Sequence, residues 1–248
     1  MTRIVGIIPA RMGSARFPGK PLAPILGIPM IEHVYRRTAM CERLDSVVVA
    51  TCDESIKTRV EAFGGSVFMT SKHHERATDR VAEAAEHVDP EIVVMIQGDE
   101  PMITSSMIVE ALRPMLQVSS IGCVNLARQV TTEQEFVDPN TIKIVTDVNS
   151  NALYFSRAAI PSTAFGTANV LKQVCVIPFR RSLLRTFAKL PPTPLERAES
   201  IDMLRLIEHG IPVRIVKTEI ETHAVDTPED LRLVEELLRG DSLVQCYL

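Results

Sequence analysis

Two groups of residues in this chain have types and spacing that suit chemistry. The first is a run of cations near the amino terminus, Arg11, Arg16 and Lys20, with Gly13 and Gly19 among them. Arginine offers a bidentate fork to phosphate oxygens and lysine a point charge. Glycine lets the backbone turn tightly and approach a ligand closely. The second is a pair of carboxylates, Asp99 and Asp226. Each follows an apolar segment and precedes a proline, within 93–101 and within Ala224-Val225-Asp226-Thr227-Pro228. Both are expected at strand exits, on the sheet edge where the basic loop also lies. Two carboxylates converging there suit Mg2+, a hard cation that takes one or two of them and completes its shell with water and substrate phosphates. Helix capping is the plainer role for such aspartates. At the second position Thr227-Pro228-Glu229-Asp230 already supplies an N-cap and a proline at the first helical position, so capping does not need Asp226. Asp99 alone is the weaker signal, since aspartate is common in turns. A further cation, Arg157, ends the apolar stretch 152–156 and suits a substrate carboxylate, although a surface salt bridge explains it equally well.

Other chemistries are excluded or unsupported. Gly13 and Gly19 enclose five residues and Lys20 is followed by Pro21, so the loop is one residue too long for a Walker A motif and lacks its hydroxyl. No G-x-G-x-x-G run opens a helix, and no G-x-S-x-G elbow occurs. The six histidines show no metal-ligand spacing. The five cysteines are scattered and odd in number, with no C-x-x-C pair, which fits free thiols in a reducing cytoplasm. A net charge of −4 and the absence of tryptophan give no case for nucleic-acid binding. No apolar run reaches membrane-spanning length, and the amino terminus lacks a signal-peptide pattern.

The elements that must position these residues alternate. Residues 4–8 and 91–96 read as strands buried on both faces, as does Ser46–Thr51 with its valine centre. A shorter strand is expected at 66–70. Helical spacing is expected over 30–41, 54–63, from a Thr78 cap to 87, and over 105–116. This is the signature of βαβ units and a mainly parallel sheet. The second half is less regular. Strands are expected at 121–127, 141–147, 152–156, 171–179 and 212–217, the second and third forming an antiparallel excursion. A loop is expected over 161–170, and helices over 180–189, 195–209 and 228–239. With 248 residues and no linker, a single α/β domain over 1–248 is expected.

The run Ile8-Pro9-Ala10-Arg11, with Arg16-Phe17-Pro18-Gly19-Lys20-Pro21-Leu22, resembles the signature loop of sugar-acid cytidylyltransferases, most of all the 3-deoxy-manno-octulosonate (Kdo) cytidylyltransferase family. Thr78-Asp79-Arg80, Gln97-Gly98-Asp99-Glu100-Pro101, Tyr154-Phe155-Ser156-Arg157, Pro194-Leu195-Glu196 and Asp226-Thr227-Pro228-Glu229-Asp230 resemble further family runs, in the family's order. The resemblance implies a nucleotide-diphospho-sugar transferase fold, Rossmann-like with helices on both faces of the sheet, usually homodimeric and working with Mg2+ in lipopolysaccharide biosynthesis. It implies that CTP is held by Pro9, Ala10, Arg11, Gly13, Ser14, Lys20, Thr78, Arg80 and Asp99. It implies a sugar-acid pocket with Gln97, Arg157, Gln173 and Glu196, and a metal on Asp99 and Asp226.

The chain departs from the family pattern in places. Gln173 stands where the family has histidine, and Ile177 where it has tyrosine; both family residues help to hold the sugar acid. Arg76-Ala77 replaces Ser-Gly, and Cys52 replaces a common aspartate. Lost polar contacts can change which sugar is accepted. The acceptor is therefore expected to be Kdo or a close relative such as its 8-amino-8-deoxy form. The alternatives are transfer to another sugar acid or a sugar phosphate, and a catalytically silent nucleotide-binding homologue.

Overall fold

Ile4–Ala10 has seven successive buried residues, the pattern of a strand covered on both faces. The computed structural model describes residues 2–13, 17–166 and 169–248. Its strands are β1 (Ile4–Ala10), β2 (Pro24–Ile25), β3 (Ile28–Pro29), β4 (Ser46–Thr51), β5 (Val67–Met69), β6 (Ile92–Ile96), β7 (Val124–Gln129), β8 (Lys143–Thr146), β9 (Ala152–Ser156), β10 (Leu171–Val174), β11 (Val176–Arg180) and β12 (Arg214–Lys217). Its helices are α1 (Met30–Ala39), α2 (Glu54–Ala62), α3 (Ala77–Val88), α4 (Ser105–Gln117), α5 (Glu133–Val137), α6 (Arg181–Lys189), α7 (Pro194–Glu199), α8 (Met203–Glu208) and α9 (Pro228–Arg239). The chain is α/β and divides into two compact units, residues 1–109 with 221–248, and residues 110–220.

In the first unit β6, β1, β4 and β5 lie side by side, all parallel. The chain moves from β1 to β4 and β5 on one side, then returns to place β6 on the other. The order therefore reverses between β1 and β6, and the carboxyl ends of strands at such a point are where open α/β sheets bind ligands. The carboxyl-terminal segment returns to this unit. Val225, Val234, Leu238 and Val244 are buried together with Ile25 and Met30, so the end of the chain packs on the β2–β3 hairpin and the start of α1.

In the second unit the order is β12-β7-β10-β8-β9. Only β12 and β7 are parallel; β7–β10, β10–β8 and β8–β9 are antiparallel. The expected antiparallel excursion is thus present and extends beyond the two strands that the sequence suggested.

Three expectations are corrected. Thr78 does not cap α3: Arg76 occupies the N-cap and Thr78 is buried inside the helix. The strand expected over 171–179 divides at Cys175 into β10 and β11. The helix expected over 195–209 is two short helices, because Ser200 adopts a left-handed conformation at φ 56°. The apolar spacing continues across that break, so periodicity alone does not reveal it. The fold-back lets Glu208 of α8 accept the backbone N–H groups of Leu195 and Glu196 at 3.1 and 3.2 Å, satisfying donors that the start of α7 leaves unpaired. The β2–β3 hairpin and α5 have no counterpart in the sequence reading.

Candidate active site

The basic loop leaves β1 at Ala10 and the Gln97-Gly98-Asp99 turn leaves β6 beside it. A Cβ on Gly98 would lie 3.0 Å from the Pro9 carbonyl oxygen, so the absence of a side chain lets the two strand exits touch. The described flanks of the basic loop are pinned. Met12 N–H donates to Asp53 Oδ2 at 2.8 Å, and Gly19 N–H donates to the Met12 carbonyl at 3.2 Å. Gly19 has φ 75°, a conformation that costs a residue with a Cβ, and Lys20 follows in a short 3-10 turn.

That turn carries the Lys20 side chain to the acidic residues. Its Nζ lies 2.7 Å from Asp99 Oδ2, 2.7 Å from the Val225 carbonyl oxygen and 3.5 Å from Asp226 Oδ1. Val225 N–H donates to the Asp99 carbonyl at 2.9 Å, which ties the two acidic segments directly. Burial works to lower the Lys20 pKa, but the charges and hydrogen bonds of Asp99 and Asp226 outweigh it and hold the ammonium above its usual 10.5. Thr227 caps α9 in a reciprocal box with Asp230, so the capping role expected for this segment is met by its neighbours. Asp226 N–H also donates to Asp230 Oδ2, at 3.0 Å.

Among the described residues three oxygens and no sulfur or imidazole stand around this ammonium, a donor set that suits a hard cation. Among the described residues no group of three or more His, Cys, Asp or Glu gathers as a ready-made metal cage. Two partly exposed carboxylates are what Mg2+ ordinarily takes from a protein when phosphates supply the rest.

In the second unit Arg157 follows β9. Its Nε donates to the Glu199 carbonyl at 2.7 Å and its Nη1 to the Pro139 carbonyl at 2.9 Å. Gln173 on β10 donates to Asn125 Oδ1 at 2.6 Å. Glu196 has no exposed surface. Its carboxylate receives Arg205 Nε at 2.8 Å and Nη2 at 2.7 Å, a bidentate ion pair joining α7 to α8. The same guanidinium lies 4.1 Å from the Phe187 ring centroid.

The family model described as cytidylyltransferase matches residues 5–220. The chain is 46% identical over 250 residues to the 3-deoxy-manno-octulosonate cytidylyltransferase of Geobacter metallireducens, covering 96% of this chain and 98% of that one. It is 45% identical to the enzyme of the same name from Geobacter sulfurreducens, over 95% and 99% of the two chains. This chain belongs to the Kdo cytidylyltransferase family. Its fold is similar to a solved CMP:2-keto-3-deoxy-manno-octonic acid synthetase complexed with CTP, with a TM-score of 0.89 and 38% identity over 96% of this chain and 99% of the other.

The remaining residues that the family pattern singles out fall in several settings. Pro9 and Ala10 are buried at the end of β1, whereas Arg11 and Gly13 are exposed. Ser14 and Arg16 lie outside the described residues. Gln97 is half-buried, and its carbonyl accepts Glu100 N–H at 3.2 Å. Thr78 Oγ1 is 3.7 Å from Met95 Sδ, within the unit's interior. Arg80 is buried and donates to Thr70 Oγ1 and to the Ser71 carbonyl, holding the segment after β5. Ile177, where the family has tyrosine, is a buried β11 residue.

Sequence reasoning missed Asp53, Gly98 and the Val225 carbonyl. Asp53 lies two residues past the end of β4, at the same sheet edge as the basic loop, and that position was the available signal. Nothing local to Val225 marks its carbonyl as a partner for Lys20.

Proposed function

We propose that this protein is a cytidylyltransferase that couples CTP to Kdo, giving the CMP-sugar and pyrophosphate. The anomeric hydroxyl oxygen attacks the α-phosphorus; the new O–P bond forms as the bond to the β-phosphate bridging oxygen breaks. The hydroxyl proton is released and pyrophosphate leaves. Such a displacement asks for alignment and charge neutralisation rather than a protein nucleophile. The observation that carries the reading is the meeting of Lys20, Asp99 and Asp226 at the edge where the sheet order reverses.

In this reading Arg11 and Lys20 hold phosphate oxygens and Asp99 and Asp226 are the groups that would hold Mg2+. When bound, the ion supplies charge neutralisation at the phosphates. Pro9, Ala10, Gly13, Ser14, Thr78 and Arg80 shape or line the nucleotide side. Arg157 binds the acceptor carboxylate, with Gln97, Gln173 and Glu196 supporting the sugar side. Glu196 does so through Arg205, since the guanidinium occupies both of its oxygens. We read residues 1–248 as one catalytic domain, which the family match across both units supports. The family resemblance supports a homodimer and a cytoplasmic setting, and no described helix is long and apolar enough to cross a membrane.

Pyrophosphate release with CTP, Kdo and Mg2+ tests the activity. Turnover that needs all three is expected; release without Kdo, or none with any sugar acid, would overturn it. A second reading is favoured by Gln173 and Ile177, which replace two polar contacts of the family pattern. In that reading the preferred acceptor is 8-amino-8-deoxy-Kdo, and a higher kcat/KM for Kdo itself would end it.

A further inference from the structure

Lys143 is fully buried in β8, where an ammonium ordinarily pairs with a carboxylate. Here its hydrogen-bond partners among the described residues are two main-chain oxygens, the carbonyl of Asp138 at 2.7 Å and that of Arg157 at 2.8 Å. Burial lowers its pKa, an effect that the nearby charges of Asp138 and Glu199 only partly offset. Glu199 engages the same residue. Its Oε2 accepts Arg157 N–H at 2.8 Å, and its Oε1 accepts Ser156 Oγ at 2.7 Å and the Tyr154 hydroxyl at 3.3 Å. Desolvation would raise the Glu199 pKa, but these donors outweigh it and keep the carboxylate ionised.

Arg157 is therefore fixed at four atoms. Lys143 holds its carbonyl and Glu199 its N–H. Its Nε donates to the carbonyl of Glu199, which becomes available because α7 ends there, and its Nη1 donates to the carbonyl of Pro139. Its Nη2 has no partner among the described residues. The fork itself donates only to neutral main-chain carbonyls, so no carboxylate occupies it among the described residues, although the ionised Glu199 lies close enough to feel its charge.

We propose that Lys143 and Glu199 are positioning residues for Arg157, aiming one free edge of its guanidinium at the carboxylate of the acceptor. This rests on the reading of Arg157 as the residue that binds the sugar acid. It goes beyond that reading in naming two residues that touch no substrate and yet set acceptor affinity.

The test is steady-state pyrophosphate release with Kdo and CTP varied separately. Glu199→Ala and Lys143→Met are expected to raise KM for Kdo by on the order of tenfold, with KM for CTP within about twofold. Glu199→Gln, whose amide can offer its oxygen to Arg157 N–H and its NH2 to the Ser156 hydroxyl, is expected to recover most of the loss. In an Arg157→Ala background Glu199→Ala should add little, because its effect passes through the guanidinium. Should Glu199→Ala fail to fold, Glu199→Asp, one methylene shorter and still charged, is measured in its place with the same expectation. If Arg157→Ala weakens Kdo binding while the Glu199 and Lys143 variants keep a wild-type KM, or raise both KM values alike, the positioning role is overturned. If Arg157→Ala itself leaves KM for Kdo unchanged, the reading beneath it fails instead.

Discussion

Lys20 and Asp99, separated by 79 residues, share a hydrogen bond of 2.7 Å, and the same ammonium reaches Asp226 at 3.5 Å. Lysine here keeps two carboxylates together that would otherwise repel, and marks where a cation is favoured. Lys20→Ala, Asp99→Asn and Asp226→Asn should each lower kcat by on the order of 100-fold or more, the scale of losing one group that stabilises developing charge. Pyrophosphate-release kinetics measure this, and near-wild-type rates in either aspartate variant would remove the metal assignment.

The raised pKa of Lys20 sets a pH expectation. A lysine whose folded pKa lies above 10.5 contributes stability that is fully present below 10.5 and is lost as pH rises through the folded value. Between pH 6 and 9 this ion pair should add no slope to a plot of melting temperature against pH. Comparing wild type with Lys20→Met across that range, and again above pH 10.5, reads the difference.

Gly98 offers a steric test. Alanine would place its Cβ 3.0 Å from the Pro9 carbonyl, a backbone atom that can yield only by moving β1 against β6. Gly98→Ala is expected to cost about 1–3 kcal/mol in urea unfolding. It should lower kcat/KM by at least about tenfold, since small displacements of positioned groups are costly.

Glu196 and Arg205 are almost fully buried and pair through both carboxylate oxygens. Removing one partner strands the other charge, so Glu196→Ala should lose about 3–5 kcal/mol of stability. The double change Glu196→Leu with Arg205→Met should recover much of it. Denaturant unfolding distinguishes this from a direct sugar contact, for which activity would fall with stability intact.

His33 has no exposed surface. Its Nε2 lies 2.8 Å from the Ile25 carbonyl and must donate, so its Nδ1 accepts from the Tyr247 hydroxyl at 2.8 Å. Burial lowers its pKa, against the pull of the Ile25 carbonyl, so the imidazole stays neutral. Its stabilising contribution is complete above 6.5 and is lost as pH falls from there through the lowered folded value, at up to about 1.4 kcal/mol per pH unit. Urea midpoints at pH 7.5 and 5.0 should differ more for wild type than for His33→Gln.

Much of this protein is legible in its sequence. The apolar runs of β1, β4 and β6 and the Thr227-Pro228 start of α9 are encoded by neighbouring residues, through periodicity and capping chemistry that act over a few positions. The types of Lys20, Asp99, Asp226 and Arg157, and the edges on which they stand, could be read from the same short stretches. Tertiary structure decided what those side chains touch. It gave Lys20 a carbonyl 205 residues away, turned Glu196 inward to Arg205 through a left-handed Ser200, and built the hold on Arg157 from β8 and the end of α7. Spacing along the chain carries the period of an element, whereas a hydrogen bond between distant segments depends on how whole elements pack, and no local pattern records that.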